Sequence, residues 1–304
     1  MFKGRDIISI TDFTKDEILH VLRAADYIKK TNPRHLLDGL LMGSCFFEPS
    51  TRTRLSFEAA MKRLGGEVIG FADSSTTSTK KGETLYDSMK IVGQYVDTIV
   101  IRHPFDGSAR RAAEATDKPI INAGDGSNQH PTQTLFDLYT IKESQKSLDD
   151  LHIALVGDLK YGRTTHSLAQ ALSHFNVRLY FIAPPTLQIP AHIANYVKAR
   201  QVKFSFHESL DGIMPKLDIL YMTRIQEERF TDSMEYNRVK DAFRLTKDQL
   251  HTCRPSMRIL HPLPRVREID TDIDATPYAY YFKQAENGVV VRQAVLSLIL
   301  GKID

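Results

Sequence analysis

The chain has few cysteines and no long apolar run. Its 304 residues include two cysteines, Cys45 inside an apolar stretch and Cys253 beside Arg254. Two such distant cysteines form neither a disulfide framework nor the ligand spacing of a zinc site, and they favour a reducing compartment. The charged N-terminus lacks a signal-peptide core, and no apolar run approaches the length of a membrane span. We therefore expect a cytoplasmic protein that binds neither a metal ion nor a membrane.

Strong charge of one sign is also missing. The chain has 40 Lys and Arg residues against 37 Asp and Glu residues, which gives a formal net charge of +3. This excess is too small and too dispersed to favour nucleic acid as a partner. An anionic small molecule remains open as a ligand.

A dinucleotide fingerprint is missing as well. The segment Val156 to Arg163 turns from an apolar strand into a helix, but its glycines lie five positions apart and Lys160 and Tyr161 crowd the turn. The G-x-G-x-x-G spacing that lets a backbone approach a pyrophosphate is absent. The sequence argues against a nicotinamide or flavin cofactor, and we expect no cofactor of another kind.

The patterns that are present are those of an α/β protein. The length suits about two domains, and a polar break at 143–150 separates two stretches in which strands and helices alternate. The predicted strands are 43–47, 67–71, 98–101, 119–122, 153–156, 179–182 and 219–221, and the predicted helices are 16–30, 51–64, 85–95, 133–142, 165–172 and 193–199. Strands separated by helices pair in parallel, which predicts two doubly wound parallel-sheet domains with ligands at the carboxyl ends of the strands.

The run Ser50-Thr51-Arg52-Thr53-Arg54, which we call the phosphate-grip run, lies between a predicted strand and a predicted helix. Ser50 or Thr51 can cap this helix, and its predicted apolar face consists of Leu55, Phe57, Ala60, Met61 and Leu64. Helix N-terminal N–H groups, hydroxyls and guanidiniums suit phosphate oxygens. On these residues alone, an ordinary capped surface helix is an equally good interpretation.

Further polar clusters follow predicted strands or lie in loops. They are the lysine-containing loop 76–83, Arg102-His103-Pro104, the loop 125–133 with His130 and Gln133, Arg163, and His261-Pro262-Leu263-Pro264-Arg265. Each has a plain structural alternative: a solvated loop, a structural histidine or a salt bridge. In the last cluster two prolines around one leucine predict a rigid turn whose carbonyls can face a ligand, with a cis Leu263-Pro264 bond.

Taken together, these clusters resemble the site segments of the transcarbamoylases. The stretch Phe47 to Arg54 resembles the carbamoyl phosphate signature of that family, and Arg102 to Pro104, His130 to Gln133 and His261 to Pro264 resemble its other site segments. The segments Gly157 to Arg163, Met222 to Gln226 and His261 to Arg265 are similar to the catalytic chains that use L-aspartate. The resemblance runs from about Ile7 to Leu300.

The resemblance implies roles for individual residues. Those that would bind carbamoyl phosphate are Ser50, Thr51, Arg52, Thr53, Ser78, Lys81, Arg102, His130, Gln133, Pro262 and Leu263. Those that would be catalytic are Arg52, Thr53, Lys81, Arg102, His130 and Gln133, and those that would bind L-aspartate are Lys81, Arg163, Arg224 and Gln226. Ser78 and Lys81 would reach in from an adjacent chain, and Glu48, Arg229 and Glu235 would take part in domain closure.

The resemblance also implies the organisation of the molecule. Residues 1–132 would form a carbamoyl phosphate-binding domain, joined by a C-terminal helix of about 286–304 that crosses back to it, and residues 133–285 would form an L-aspartate-binding domain. The expected assembly is a homotrimer with shared active sites. A separate zinc-containing regulatory chain in a larger assembly is allowed by the resemblance, and the sequence leaves its presence open.

The implied reaction moves the carbamoyl group of carbamoyl phosphate to L-aspartate, giving N-carbamoyl-L-aspartate and phosphate, an early step of pyrimidine biosynthesis. Two alternatives remain: a transcarbamoylase for another amine such as ornithine, and a binding protein that senses a phosphorylated metabolite. The ornithine enzymes have a Cys where this chain has Pro262, and a Trp-containing loop, whereas this chain has no Trp. A sensor would not need His130, Gln133 and Lys81 around the carbonyl.

Overall fold

The computed structural model describes residues 2–73, 75, 77–227, 230, 232–239 and 242–304. The chain divides into two compact units, one formed by Met1–Phe136 with Glu286–Asp304 and the other by Asp137–Ala285. The division falls inside two helices, Pro131–Gln145 and Tyr281–Ile299. Arg229 and the side chain of Glu235, both expected to act in domain closure, lie outside what the structure describes. The assignment of one ligand to each unit stays a prediction at this point.

The first unit contains a parallel sheet of four strands. They are β1 (Leu41–Phe46), β2 (Glu67–Phe71), β3 (Thr98–His103) and β4 (Ile120–Asp125), in the order β2-β1-β3-β4. The helices are α1 (Lys15–Thr31), α2 (Thr51–Arg63), α3 (Leu85–Val92), α4 (Ser108–Ala113) and the start of α5 (Pro131–Gln145). One apolar core of this unit includes Cys45, Met89, Ile99, Ala112 and Ile120, contributed by the three adjacent strands β1, β3 and β4 and by the helices α3 and α4.

The second unit contains a parallel sheet of five strands. They are β5 (Leu151–Val156), β6 (Val177–Ile182), β7 (Lys203–His207), β8 (Ile219–Met222) and β9 (Arg258–Leu260), in the order β7-β6-β5-β8-β9. Its helices are the rest of α5, α6 (Arg163–Leu172), α7 (Ala191–Ala199), α8 (Ser233–Val239) and the start of α9 (Tyr281–Ile299). Because the rest of α9 belongs to the first unit, the chain ends beside its beginning, where the Gly4 N–H donates to the Ile299 carbonyl at 2.8 Å.

The predicted α/β fold with two doubly wound parallel sheets and a returning C-terminal helix is confirmed. Four elements were not predicted as such: α4, α8, β7 and β9. One detail of α2 was wrong, because Leu55 was assigned to the apolar face yet is 50% exposed. The inward side of α2 consists instead of Phe57, Ala60 and Met61, which are fully buried.

No helix in the described ranges combines the length and the apolar character needed to cross a bilayer.

Candidate active site

In the first sheet, the strand order reverses between β1 and β3. In open parallel sheets a ligand crevice forms outside the carboxyl ends of the strands at such a reversal. Phe46 at the end of β1 is paired with Arg102 near the end of β3, and the Phe47 N–H donates to the Arg102 carbonyl at 2.8 Å. The phosphate-grip run and Arg102 therefore begin from adjacent positions at this edge.

The N-terminus of α2 lies within the phosphate-grip run. Ser50 occupies the N-cap position with φ −157° and ψ 106°, but its side chain makes no capping hydrogen bond. The sequence predicted Ser50 or Thr51 as the cap residue, and Ser50 does occupy the N-cap position, although without the hydrogen bond that a capping side chain usually makes. A hydroxyl that does not cap its own helix can turn toward an anion, while the positive end of the helix dipole points the same way.

Arg102 is held in place beside this helix terminus. Its Nε lies 3.0 Å from Glu48 Oε2, and its side chain is 13% exposed. Its Nη1 also donates to the Ala123 carbonyl on the neighbouring strand at 3.3 Å. A guanidinium anchored at two points loses little entropy when it binds an anion, so its position favours binding.

His130 and Gln133 come at the start of α5, directly after the loop that leaves β4. Both are buried, with 3% and 5% exposure. The loop is shaped by Asp125, which accepts from Asn122 Nδ2 at 2.8 Å and the Gln129 N–H at 3.1 Å through one oxygen. Its other oxygen accepts from the Gly107 N–H at 2.8 Å. The buried carboxylate thus fixes the backbone that delivers His130.

Ser78 and Lys81 lie in a different environment. They begin and end a short 3-10 helix, Ser78–Lys81, whose N-cap is Thr77, and both side chains are exposed. Within the described part of the chain, the Lys81 amine makes no hydrogen bond or ion pair. The structure of one chain does not place these two residues at the phosphate-grip run, and their predicted action in a neighbouring chain stays a prediction.

In the second sheet the order reverses between β5 and β8, and two loops approach each other at this point. Gly157 follows β5 with φ +118°, and a Cβ atom there would lie 2.2 Å from the Thr223 carbonyl oxygen. The Thr223 N–H in turn donates to the Val156 carbonyl at 2.8 Å. Only glycine permits both this backbone conformation and this approach. Gly157 therefore allows contact between two loops, and it is not part of a G-x-G-x-x-G dinucleotide-binding motif.

Asp158 joins the same two loops. Its Oδ1 accepts from the Tyr161 N–H at 2.9 Å and its Oδ2 from the Gln226 N–H at 3.3 Å. Burial raises the pKa of this carboxyl, while backbone hydrogen bonds from Tyr161, Gln226 and Lys160 and the charge of Arg224 partly offset the effect. The side chain is fully buried. A carboxylate satisfied by two loops fixes their relative positions.

Three residues predicted to bind aspartate are positioned by these loops. Arg163 is the first residue of α6, directly after the loop that Asp158 organises, and Arg224 and Gln226 follow β8. All three side chains are partly exposed at the carboxyl ends of β5 and β8. The second unit therefore has two guanidiniums and one amide at its sheet reversal, a set that suits carboxylates.

The turn after β9 contains Pro262 and Leu263 beside these loops. β9 pairs with β8, with Leu260 opposite Tyr221, so the turn leaves the sheet next to the Arg224 loop. The predicted cis Leu263-Pro264 bond is confirmed. Arg265 has a structural role, because it pairs with Asp274 and its Nη1 lies 2.9 Å from the Tyr281 hydroxyl.

Asp125 and Asp158 are the supporting residues that the sequence did not identify. Each lies in a polar segment of the sequence, and nothing in the surrounding residues indicates whether its carboxylate is buried or solvent-exposed. Their positions directly after predicted strands were the available signal.

Two family models match the chain. Residues 5–143 match the aspartate/ornithine carbamoyltransferase, carbamoyl-P binding domain, and residues 149–299 match the Asp/Orn binding domain of the same family. The two matches together span both units.

Individual relatives agree with these matches. An aspartate carbamoyltransferase catalytic subunit from Chromobacterium violaceum is 54% identical over 298 residues, which is 98% of each chain. The catalytic subunit of M. jannaschii aspartate transcarbamoylase superposes with a TM-score of 0.90 at 49% identity, covering 98% of each chain. The Trypanosoma cruzi aspartate transcarbamoylase in complex with carbamoyl phosphate and aspartate gives a TM-score of 0.93 at 36% identity, with 98% of each chain covered. The chain therefore belongs to the aspartate/ornithine carbamoyltransferase family.

Proposed function

We propose that this protein is a carbamoyl-group transferase that converts carbamoyl phosphate and L-aspartate into N-carbamoyl-L-aspartate and phosphate. The observation that carries the proposal is the pair of sheet reversals. One bears a helix N-terminus with Arg102 and His130 nearby, which suits a phosphate and a carbonyl. The other bears Arg163 and Arg224, which suit the two carboxylates of aspartate.

The chemistry of transfer requires cationic and hydroxyl donors. As the aspartate amine attacks the carbamoyl carbon, negative charge develops on the carbonyl oxygen and on the departing phosphate. Thr53, Arg102 and His130 are proposed to surround the carbamoyl oxygen. Gln133 and the carbonyls of Pro262 and Leu263 are proposed to bind the carbamoyl amide group. Departing phosphate can accept the proton that the amine loses.

Residues of the first unit are proposed to bind the phosphate group of carbamoyl phosphate. They are Ser50, Thr51, Arg52, Thr53 and Arg102, together with Ser78 and Lys81 of an adjacent chain. L-Aspartate is proposed to bind to Arg163, Arg224 and Gln226, together with Lys81 of the adjacent chain. The first unit then receives carbamoyl phosphate and the second receives aspartate, a division supported by the family descriptions of the two matching segments.

A covalent cysteine intermediate has no support. Burial raises the pKa of the Cys45 thiol to about 12 and that of the Cys253 thiol to about 11. Both groups therefore stay protonated and weakly nucleophilic at neutral pH. Direct attack of the amine on carbamoyl phosphate is the step that the available side chains favour.

Aspartate is favoured over ornithine as the acceptor. Arg163 and Arg224 would attract a second carboxylate and repel the ammonium side chain of ornithine. The chain also has no tryptophan for an ornithine-receiving loop. The names of the relatives from Chromobacterium violaceum and M. jannaschii support the same acceptor.

The assembly is proposed to be a homotrimer with shared active sites. Lys81 projects from an exposed short helix, and Leu55 and Ile69 are 50% and 45% exposed in the first unit. Half-exposed apolar side chains in the same unit as a polar projecting loop suit contact with a second copy of the chain. The names of two relatives, catalytic subunits, agree with a larger assembly, and a zinc-containing regulatory chain is one candidate partner. Pyrimidine synthesis in the cytoplasm is the proposed setting.

One product analysis tests the function. Purified protein is mixed with carbamoyl phosphate and either L-aspartate or L-ornithine, and the products are identified by mass. We expect N-carbamoyl-L-aspartate and phosphate from the first mixture and no citrulline from the second. Citrulline as the main product would support the ornithine alternative, and binding of carbamoyl phosphate without turnover of either amine would support the sensor.

A further inference from the structure

A buried hydrogen-bonded pair lies behind the turn that contains Leu263. His261 and Glu268 are 2% and 7% exposed, and His261 Nε2 lies 2.7 Å from Glu268 Oε1. The Leu263 N–H donates to His261 Nδ1 at 2.8 Å. An N–H group can donate only to an unprotonated nitrogen, so Nδ1 is the acceptor. The ring proton is therefore on Nε2, which donates a hydrogen bond to Glu268.

Glu268 is a fully satisfied carboxylate. Besides His261, it accepts from the Val266 N–H at 3.1 Å and from the Arg267 N–H at 3.0 Å. Burial would raise its pKa, but the hydrogen bond from His261 and those from the backbone N–H groups outweigh this effect and hold the pKa below its ordinary value. The ionised Glu268 therefore holds the two ends of this turn together, because it binds His261 before the turn and the N–H groups of Val266 and Arg267 after it.

The backbone of His261 is fixed independently. Its N–H donates to Gln284 Oε1 at 2.8 Å, and Gln284 Nε2 donates to Asp137 Oδ1 at 2.7 Å. The other oxygen of Asp137 accepts from the Tyr221 hydroxyl at 2.9 Å. These groups are buried, so the imidazole is held at its backbone as well as at its ring.

Leu263 needs such support. Its φ is +55°, in the left-handed region, which costs a leucine about 1 kcal/mol. The bond from its N–H to His261 fixes the plane of the Pro262–Leu263 peptide unit, and the Pro262 carbonyl lies in that same plane, so its direction is fixed as well. None of the four groups Asp137, Gln284, His261 and Glu268 is needed for substrate contact in the proposed reaction.

We propose that Glu268, acting through His261, is a positioning residue that orients the Pro262–Leu263 peptide unit so that the Pro262 carbonyl accepts a hydrogen bond from the carbamoyl amide. This inference rests on the proposed function, because it needs carbamoyl phosphate as the ligand. The inference predicts that the Glu268–His261 pair strengthens binding of the carbamoyl amide and does not affect binding of the phosphate group.

Acetyl phosphate tests that selectivity, because it has the same phosphate and carbonyl but a methyl group in place of the amide. Dissociation constants for carbamoyl phosphate and for acetyl phosphate are measured on the full-length wild type, on Glu268→Gln and on His261→Asn. Loss of one oriented hydrogen bond should weaken carbamoyl phosphate binding about tenfold in Glu268→Gln. Acetyl phosphate binding should stay within about twofold.

The histidine variants refine the assignment. Asparagine places an oxygen near the position of Nδ1 and keeps an acceptor for the Leu263 N–H, whereas glutamine places its amide near Nε2. His261→Asn should therefore bind carbamoyl phosphate more tightly than His261→Gln. The exposed Glu208 provides a matched control, and Glu208→Gln should change neither constant.

Two results would overturn the inference. Equal weakening of both ligands in a folded Glu268→Gln protein would make the pair a general support of the fold, and unchanged binding of both would make it irrelevant to the turn. If Glu268→Gln does not fold, the comparison of His261→Asn with His261→Gln decides. Failure of the proposed function is distinguishable, because the wild type would then form no N-carbamoyl-L-aspartate whatever the variants bind.

Discussion

At the scale of the residue, the two arginines of the phosphate-grip run have different surroundings. Arg54 Nη1 lies 3.4 Å from Glu58 Oε1, and the Ser44 hydroxyl donates to the same oxygen at 3.3 Å. Arg52 is exposed at the second position of α2, in the turn whose N–H groups face outward. The sequence alone treats the two arginines alike. In the structure Arg54 is paired within its own helix, and binding of the phosphate by Arg52 stays a prediction.

Replacing Arg52 by alanine should abolish most activity while the fold persists. Removing one charge-assisted hydrogen bond from a site where charge develops costs about 3 to 4 kcal/mol, or a hundredfold or more in rate. The measurement is kcat/KM alongside thermal unfolding. Arg63→Ala, at the exposed opposite end of the same helix, is the control and should leave the rate unchanged. A folded Arg52→Ala enzyme of normal rate would remove Arg52 from the site.

Arg224→Ala should separate the two substrates. If Arg224 binds an aspartate carboxylate, the KM for aspartate should rise by a hundredfold or more, because charged hydrogen bonds contribute about 1.5 to 3 kcal/mol each and a guanidinium can make two. Carbamoyl phosphate affinity should stay within a few fold. Steady-state kinetics with each substrate varied in turn gives both numbers. An equal loss for both substrates would mean that Arg224 belongs to a different pocket.

Residue type and motif spacing predict site residues such as Arg102 and His130, and the structure places Arg102 near the end of β3 and His130 directly before α5. It did not identify Asp125 or Asp158, because the role of each depends on burial and on hydrogen bonds that only the folded chain forms. Asp158, for example, is 68 positions from Gln226. Burial and long-range partners decide such roles, and neither is encoded locally.

At the scale of the element, apolar periodicity predicted the long helices and the central strands well. It missed β7, an edge strand with no fully buried residue, and α4, which has six residues and two arginines. An edge strand and a one-turn helix have little periodicity to detect. Tertiary contact, rather than local pattern, fixes these elements.

The close approach of the loops after β5 and β8 yields a prediction for Gly157. Alanine there would place Cβ 2.2 Å from a backbone oxygen at φ +118°, and backbone cannot move as a side-chain tip can. Gly157→Ala should lower the free energy of unfolding by more than about 3 kcal/mol and impair aspartate use.

Gly212 supplies the matched control. It has φ +67°, but an added Cβ would meet nothing within 4 Å. Gly212→Ala should therefore cost about 1 kcal/mol, the left-handed penalty alone. Chemical denaturation of both variants measures the difference, and equal costs would show that the approach to Thr223 is relaxed by small shifts.

The start of α1 predicts an acid dependence of stability. Thr14 and Glu17 form a capping box, with the Thr14 N–H donating to Glu17 Oε2 at 2.8 Å, and Arg5 pairs with the same carboxylate. Burial alone would raise the pKa of Glu17, but the bonds from Thr14 and Arg5 outweigh it and lower the pKa from 4.5. A carboxyl whose pKa is lowered by folding stabilises the fold above its unfolded pKa, and this stability is lost as the pH falls through the folded value.

Glutamine at this position can keep the capping box, so Glu17→Gln removes mainly the ion pair with Arg5 and should lower the free energy of unfolding by about 0.5 to 1 kcal/mol at pH 7. The difference from the wild type should shrink as the pH falls below 4.5. Unfolding curves between pH 7 and pH 3, with Glu67→Gln as the exposed control, give the dependence. A difference that does not change with pH would place the effect in packing rather than in the charge of Glu17.

At the scale of the whole molecule, the exposed Lys81 raises the question of which chain it serves. Two inactive variants, Lys81→Gln and His130→Ala, are dissociated, mixed and allowed to reassemble. If Lys81 acts in its neighbour, some sites in mixed trimers combine an intact lysine with an intact His130, and activity returns.

The alternative gives the opposite result. If each site belongs to one chain, every site in every mixture keeps one defect and the mixture stays as inactive as its parents. Native mass measurement must show that hybrids have formed, and unmixed samples taken through the same dissociation provide the control. An inactive, verified hybrid would leave Lys81 as a surface residue or as a ligand of its own chain.

The burial of both thiols has a practical consequence for spectroscopy. Alkylating dyes and spin labels react with the thiolate, and Cys45 and Cys253 form little of it at neutral pH. A cysteine introduced at the exposed Lys80 would therefore react first, without removal of the native pair. A probe attached there would report directly on the surroundings of the segment that contains Lys81, in the free protein and after each substrate is added.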